Sequence, residues 1–75
     1  MKQKVLEIIN TVLENRKKAK LESISPNMHL RNDIGLDSLD LAELTVRIEA
    51  VYEIDVFEDG IINTVSEVLE KLNRK

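Results

Sequence analysis

Apolar residues recur along the first part of the chain at the spacing of one helical face: Val5, Ile8, Ile9 and Val12, with Leu6 and Leu13 beside them and Glu7, Asn10 and Glu14 on the polar side. That period predicts an amphipathic helix over about residues 4–15. The pattern then loses its regularity. Between residues 21 and 36, Leu21, Ile24, Met28, Leu30, Ile34 and Leu36 are scattered among Ser25, Pro26, Asn27, Asn32, Asp33 and Gly35. This predicts a long connection whose apolar side chains pin it to the core. A connection of this length is more often functional than idle, and His29 reads as one of its loop residues.

Helical spacing returns at Asp37 or Ser38 and lasts to about Tyr52, with Asp37 suited to the N-cap and Asp40 placed as its capping-box-like partner. At about 100° per residue, Leu41, Leu44, Ile48, Val51 and Tyr52 fall on one side, the expected core face, and Leu39, Ala42, Val46 and Ala50 on nearly the opposite one. One stripe can face the core. The other must meet solvent, the connecting loop or a partner, and it is flanked by Glu43, Glu49 and Glu53. Beyond it, Ile54, Val56 and Phe57 are expected to pack inward, and Gly60, Ile61 and Ile62 to form no more than a short helical turn. Thr64-Val65-Ser66-Glu67 is a capping box that opens a last helix, with Val68, Leu69 and Leu72 as its stripe and Lys71, Arg74 and Lys75 ending it. No segment alternates with period two between hairpin turns. The expected fold is all-α, a four-helix bundle with three main helices, a short third helix and a long first loop.

With 75 residues and 43% apolar content, the chain can build one compact core, so residues 1–75 are read as a single domain. It contains no cysteine, which excludes disulfides and thiolate chemistry, and one histidine, which by itself suggests neither a metal cage nor a His-based triad. No apolar run approaches the roughly 20 residues of a membrane span, and Met1 leads directly into Lys2, Gln3 and Lys4, so the cytoplasm is expected, without membrane insertion. The net charge of -3 is unevenly spread. Residues 1–31 carry seven Lys or Arg against three Glu; residues 32–70 carry one cation, Arg47, against eleven acids. Such an acidic middle repels phosphate backbones and attracts basic protein patches, which argues against nucleic acid and for a basic partner enzyme. Arg16, Lys17, Lys18 and Lys20 read as cations suited to the C-terminal dipole of the first helix.

Ser38 lacks what an enzymatic nucleophile needs. Asp37 is adjacent, but no His or Lys relay can be placed near it, and an unassisted serine is unreactive at neutral pH. Its hydroxyl either helps start the helix or carries a modification, at a first turn whose free N–H groups and dipole can help hold a phosphate diester.

The run Asp33-Ile34-Gly35-Leu36-Asp37-Ser38-Leu39-Asp40, continuing into Ala42-Glu43-Leu44, resembles the modification site of acyl carrier proteins. The likeness extends over essentially the whole chain, through the order of helices to Asn63-Thr64-Val65 before the last one. It implies a non-catalytic carrier in which Ser38, with Asp37 its motif neighbour, bears a covalent 4′-phosphopantetheine taken from coenzyme A by a phosphopantetheinyl transferase. The thiol of that arm would hold a thioester, loaded by an acyl- or aminoacyl-loading enzyme and passed to acyl transferases or synthases. It further implies that Leu39, Ala42, Glu43, Val46 and Glu49 meet partner enzymes, and that Leu41, Leu44, Ile48 and Tyr52 line a core in which a short acyl chain can hide. A monomer is expected. Arg47 interrupts the acidic face, Ala50 stands where fatty acid carriers often place an acid, and residues 57–63 form a shorter segment than in those carriers. Three readings therefore stand side by side: fatty acid synthesis, a specialised aminoacyl, peptidyl or secondary-pathway carrier, and a noncovalent interaction module.

Overall fold

The computed structural model describes residues 2–57, 60 and 62–73. Among them, helices α1 (Lys2–Asn15), α2 (Ser38–Tyr52) and α3 (Val65–Asn73) close around one core. The fold is all-α, and the β pairing found among the described residues is an isolated antiparallel bridge between His29 and Thr64. No helix among those residues is long and apolar enough to cross a membrane.

α1 buries Val5, Leu6, Ile8, Ile9, Val12 and Leu13, the stripe expected from their spacing, and begins at Lys2, a little earlier than the first apolar residue suggests. Its end is a Schellman turn. Lys17 takes a left-handed conformation (φ 58°), its N–H donates to the carbonyl of Glu14 at 3.0 Å, and the N–H of Lys18 donates to that of Leu13 at 2.8 Å. This corrects the expectation for the basic cluster. The turn carries Arg16 and Lys18 away from the α1 carbonyls and toward the start of α2, where opposite charge outbids a weak dipole.

The long connection is anchored as its apolar residues predict: Ile24, Leu30, Ile34 and Leu36 are buried, and Leu21 and Met28 pack partly against the core. Its backbone is also stitched to the approach to α3, through Leu30 N–H to the Asn63 carbonyl (2.7 Å), Val65 N–H to Met28 (3.0 Å) and Ser66 N–H to Pro26 (2.7 Å). A segment with no repetitive structure thereby satisfies its polar groups where they approach the core.

α2 buries Leu41, Leu44 and Ile48, and Tyr52 packs partly against the same core. Val51 departs from the expected core face at 48% exposure. It lies on the flank of that stripe, bordering a groove lined by Lys4, Glu7, Ile8, Thr11, Arg47 and Ala50, so it faces the seam between α1 and α2 and not the interior. After α2, Val56 is buried and Ile54 and Phe57 pack against the core, as expected. The short turn expected at Gly60, Ile61 and Ile62 includes Ile61, which lies outside the described residues, as do Arg74 and Lys75 at the end of the last helix. The α3 capping box is present: the Glu67 N–H donates to the Thr64 hydroxyl at 3.3 Å, and Glu67 Oε1 accepts from the N–H of Thr64 at 3.2 Å and of Asn63 at 3.1 Å. Val65, Val68 and Leu72 are buried below it, with Leu69 half-buried.

Candidate functional site

The start of α2 is held by several independent constraints. Asp37 is the N-cap: its Oδ1 accepts from the N–H of Asp40 at 2.9 Å, and Asp40 Oδ2 accepts in return from the N–H of Asp37 at 3.1 Å. This reciprocal box satisfies donors that a helix start otherwise leaves open. Gly35 precedes it with φ +89°, a conformation that disfavours any side chain although nothing would obstruct a Cβ there.

Asp40 is completely buried, which is unusual for a carboxylate, and it is paired accordingly. Lys18 Nζ donates to its Oδ2 at 2.6 Å and to the carbonyl of Gly35 at 3.0 Å. Oδ1 accepts no well-angled hydrogen bond and instead sits 3.2 Å from Arg16 Nε, while Arg16 Nη2 reaches Asp37 Oδ2 at 3.2 Å. Burial alone would raise the Asp40 pKa; the hydrogen bonds from Lys18 and the Asp37 N–H, together with the charges of Lys18 and Arg16, more than offset it and hold the carboxyl below its ordinary value. The residues after α1 thus clamp the first turn of α2.

Ser38 is the first residue of the helix and its side chain is exposed. It opens onto a groove of about 550 Å³ lined, among the described residues, by Arg31, Leu41, Ala42, Phe57, Gly60 and Asn63. Leu41, Ala42 and Phe57 give the groove an apolar lining, and Arg31 and Asn63 add polar groups to it. An exposed hydroxyl on a fixed turn beside such a groove is accessible to another enzyme and has room for a tethered group, so the residues present fit a covalently attached arm.

The second apolar stripe of α2 faces outward, with Leu39 at 67% and Val46 at 66% exposure and Ala42 and Ala50 also exposed. Of the acids beside it, Glu49 is exposed, whereas Glu43 is half-buried and engaged. Asn15 Nδ2 donates to its Oε2 at 3.0 Å and Arg47 Nε to the same oxygen at 2.7 Å, which lowers its pKa. Leu39, Ala42, Glu43, Val46 and Glu49 therefore lie along one side of α2 with Ser38 at its head, while Leu41, Leu44, Ile48 and Tyr52 face the core on the other.

The phosphopantetheine attachment site family matches residues 3–72. The chain belongs to the acyl carrier protein family. It is 34% identical over 67 residues to an acyl carrier protein of Phytoplasma australiense, covering 87% of this chain and 88% of that one, and 30% identical over 77 residues to one of Buchnera aphidicola subsp. Schizaphis graminum (strain Sg), covering 100% and 92%. An acyl carrier protein of Amoebophilus asiaticus (strain 5a2) is 43% identical over 49 residues, covering 63% and 61%. No solved structure matches. Acyl carrier proteins are non-catalytic, and the domain this carrier contains is the one to which phosphopantetheine is covalently attached. Sequence reasoning missed the clamp. The signal was available, because Asp40 falls in the same i, i+4 row as Leu44 and Ile48, and an acid on a buried row requires cations.

Proposed function

We propose that this protein is a discrete acyl carrier that folds as one domain, works as a cytoplasmic monomer and bears 4′-phosphopantetheine on Ser38. The observation that carries the reading is the exposed hydroxyl at the first position of a clamped helix, opening onto an apolar groove. In the loading step, Ser38 Oγ attacks the coenzyme A phosphorus that bears the pantetheine. A phosphodiester forms, the pyrophosphate P–O bond breaks, the nucleotide bisphosphate leaves, and the serine proton passes to a base of the transferase. The arm supplies a terminal thiol for thioester exchange. The chain's own part is to hold the tether point still while a weakly bound enzyme acts, so that delivery of cargo becomes effectively intramolecular.

Leu39, Ala42 and Val46 form the contact strip for the transferase, the loading enzyme and the acyl transferases or synthases, with Glu43 and Glu49 steering their basic surfaces. Glu49, exposed on the helix, carries more of that steering than Glu43, whose charge is shared with Arg47. Fatty acid synthesis is the first assignment. A second, a specialised acyl, aminoacyl or peptidyl carrier, is favoured by that Arg47–Glu43 pair at 2.7 Å, which weakens the acidic face a strongly basic partner would seek. Incubation with coenzyme A and a broad-specificity transferase, followed by intact mass measurement beside Ser38→Ala, tests the reading: wild type gains the arm and the variant does not. No gain by wild type with several active transferases would sink it.

A further inference from the structure

The charges around Ser38 balance before the arm is attached, and the balance identifies an additional residue. Two acids stand at the turn, Asp37 and Asp40, and each is paired by Arg16 or Lys18. A phosphodiester on Ser38 adds one further negative charge there, next to the partly exposed Asp37 carboxylate, and the clamp cations are already committed. Arg31 lines the same groove as Ser38 and is exposed. Among the described residues it makes no ion pair, not even with Asp33 two residues on, whose Oδ2 accepts the His29 N–H at 2.7 Å. It is also the last cation before the acidic block that runs from residue 32 to residue 70 with Arg47 alone.

We infer that Arg31 is the counter-ion of the phosphodiester, pairing with its non-bridging oxygens and drawing the first part of the arm into the groove over Leu41 and Phe57. The inference rests on Ser38 being the attachment point. A guanidinium suits this role because its planar fork can meet two phosphate oxygens together. At a solvent-exposed site the effect is modest and falls with added salt.

The test compares fully loaded and unloaded forms of wild type, Arg31→Gln and Arg31→Lys, with loading verified by intact mass. Attachment should move the Arg31 Nε–Hε resonance in wild type, and the diester phosphorus resonance should differ between loaded wild type and Arg31→Gln. The melting temperature of the loaded form relative to the unloaded one should fall by about 2–5 °C in Arg31→Gln compared with wild type, less in Arg31→Lys, and the difference should shrink at high salt. Complete loading with an unmoved Arg31 resonance and the same melting difference in wild type and Arg31→Gln overturns the inference while leaving Ser38 as the tether point. Failure of wild type to load overturns both.

Discussion

The two faces of α2 are built from similar residues and meet opposite fates. Leu44 and Ile48 on one face are sealed in the core at 1% and 0% exposure, whereas Leu39 and Val46 on the other stand in water. Hydrophobicity alone does not separate them. What does is the neighbourhood: α1, the long connection and the approach to α3 supply apolar residues to the core that one face joins, and Arg16 and Lys18 pair with Asp40 on that same buried row. The lesson concerns function as much as folding. An apolar stripe left outside on a well-anchored helix contributes nothing to the fold and is available for transient contact, where burial gives affinity and release stays fast.

The sharpest way to break this comparison is to truncate each face in turn. Ile48→Ala should cost about 2–5 kcal/mol in urea unfolding, as for any large buried aliphatic, while Val46→Ala should change stability by no more than about 0.5 kcal/mol and slow transferase loading instead. Equal stability losses would show that both faces are structural. Next in size is the clamp. Asp40→Asn should cost about 2–3 kcal/mol, because Lys18 and Arg16 lose a buried anionic partner. The same carboxylate sets an acid limit. Its folded pKa lies below the unfolded value near 3.8, so its contribution is complete above that value and is lost as pH falls through the folded pKa. Unfolding followed from neutral to acid pH should therefore show wild type losing its advantage over Asp40→Asn below about pH 4.

Smaller effects sharpen the picture at the turns that lead into α2. Gly35→Ala should destabilise by about 1–2 kcal/mol, since its φ of +89° strains any residue with a Cβ. Lys17→Gly should act in the opposite sense, stabilising by about 0.5–1 kcal/mol, because the left-handed position that closes the α1 turn suits glycine better than lysine. Thermal or urea unfolding measures both. A loss in Lys17→Gly would mean that the lysine side chain contributes more than its backbone costs.

Much of the fold was legible because it is written in local periods. The apolar spacing of α1, the Asp37 and Thr64 caps, and the scattered anchors of the long connection are each decided within a few residues of chain. The misreadings share one cause. Val51 sits at the margin of a stripe, where a helical projection cannot say how far a neighbouring element extends. Arg16 and Lys18 adjoin the α1 dipole along the chain, whereas their actual partner, Asp40, is 24 and 22 residues away in the sequence. Arg31 had no local pattern at all; only the groove relates it to Ser38.

The sequence by itself determined the helices, their caps, the presence of two apolar stripes on α2 and the motif around Ser38, since these depend on backbone geometry and nearest neighbours along the chain. Which stripe is buried, which cations hold Asp40 and which side chains border the serine were decided only by tertiary structure. Packing and Coulomb interactions act between residues close in space, and distance along the chain does not reveal that proximity.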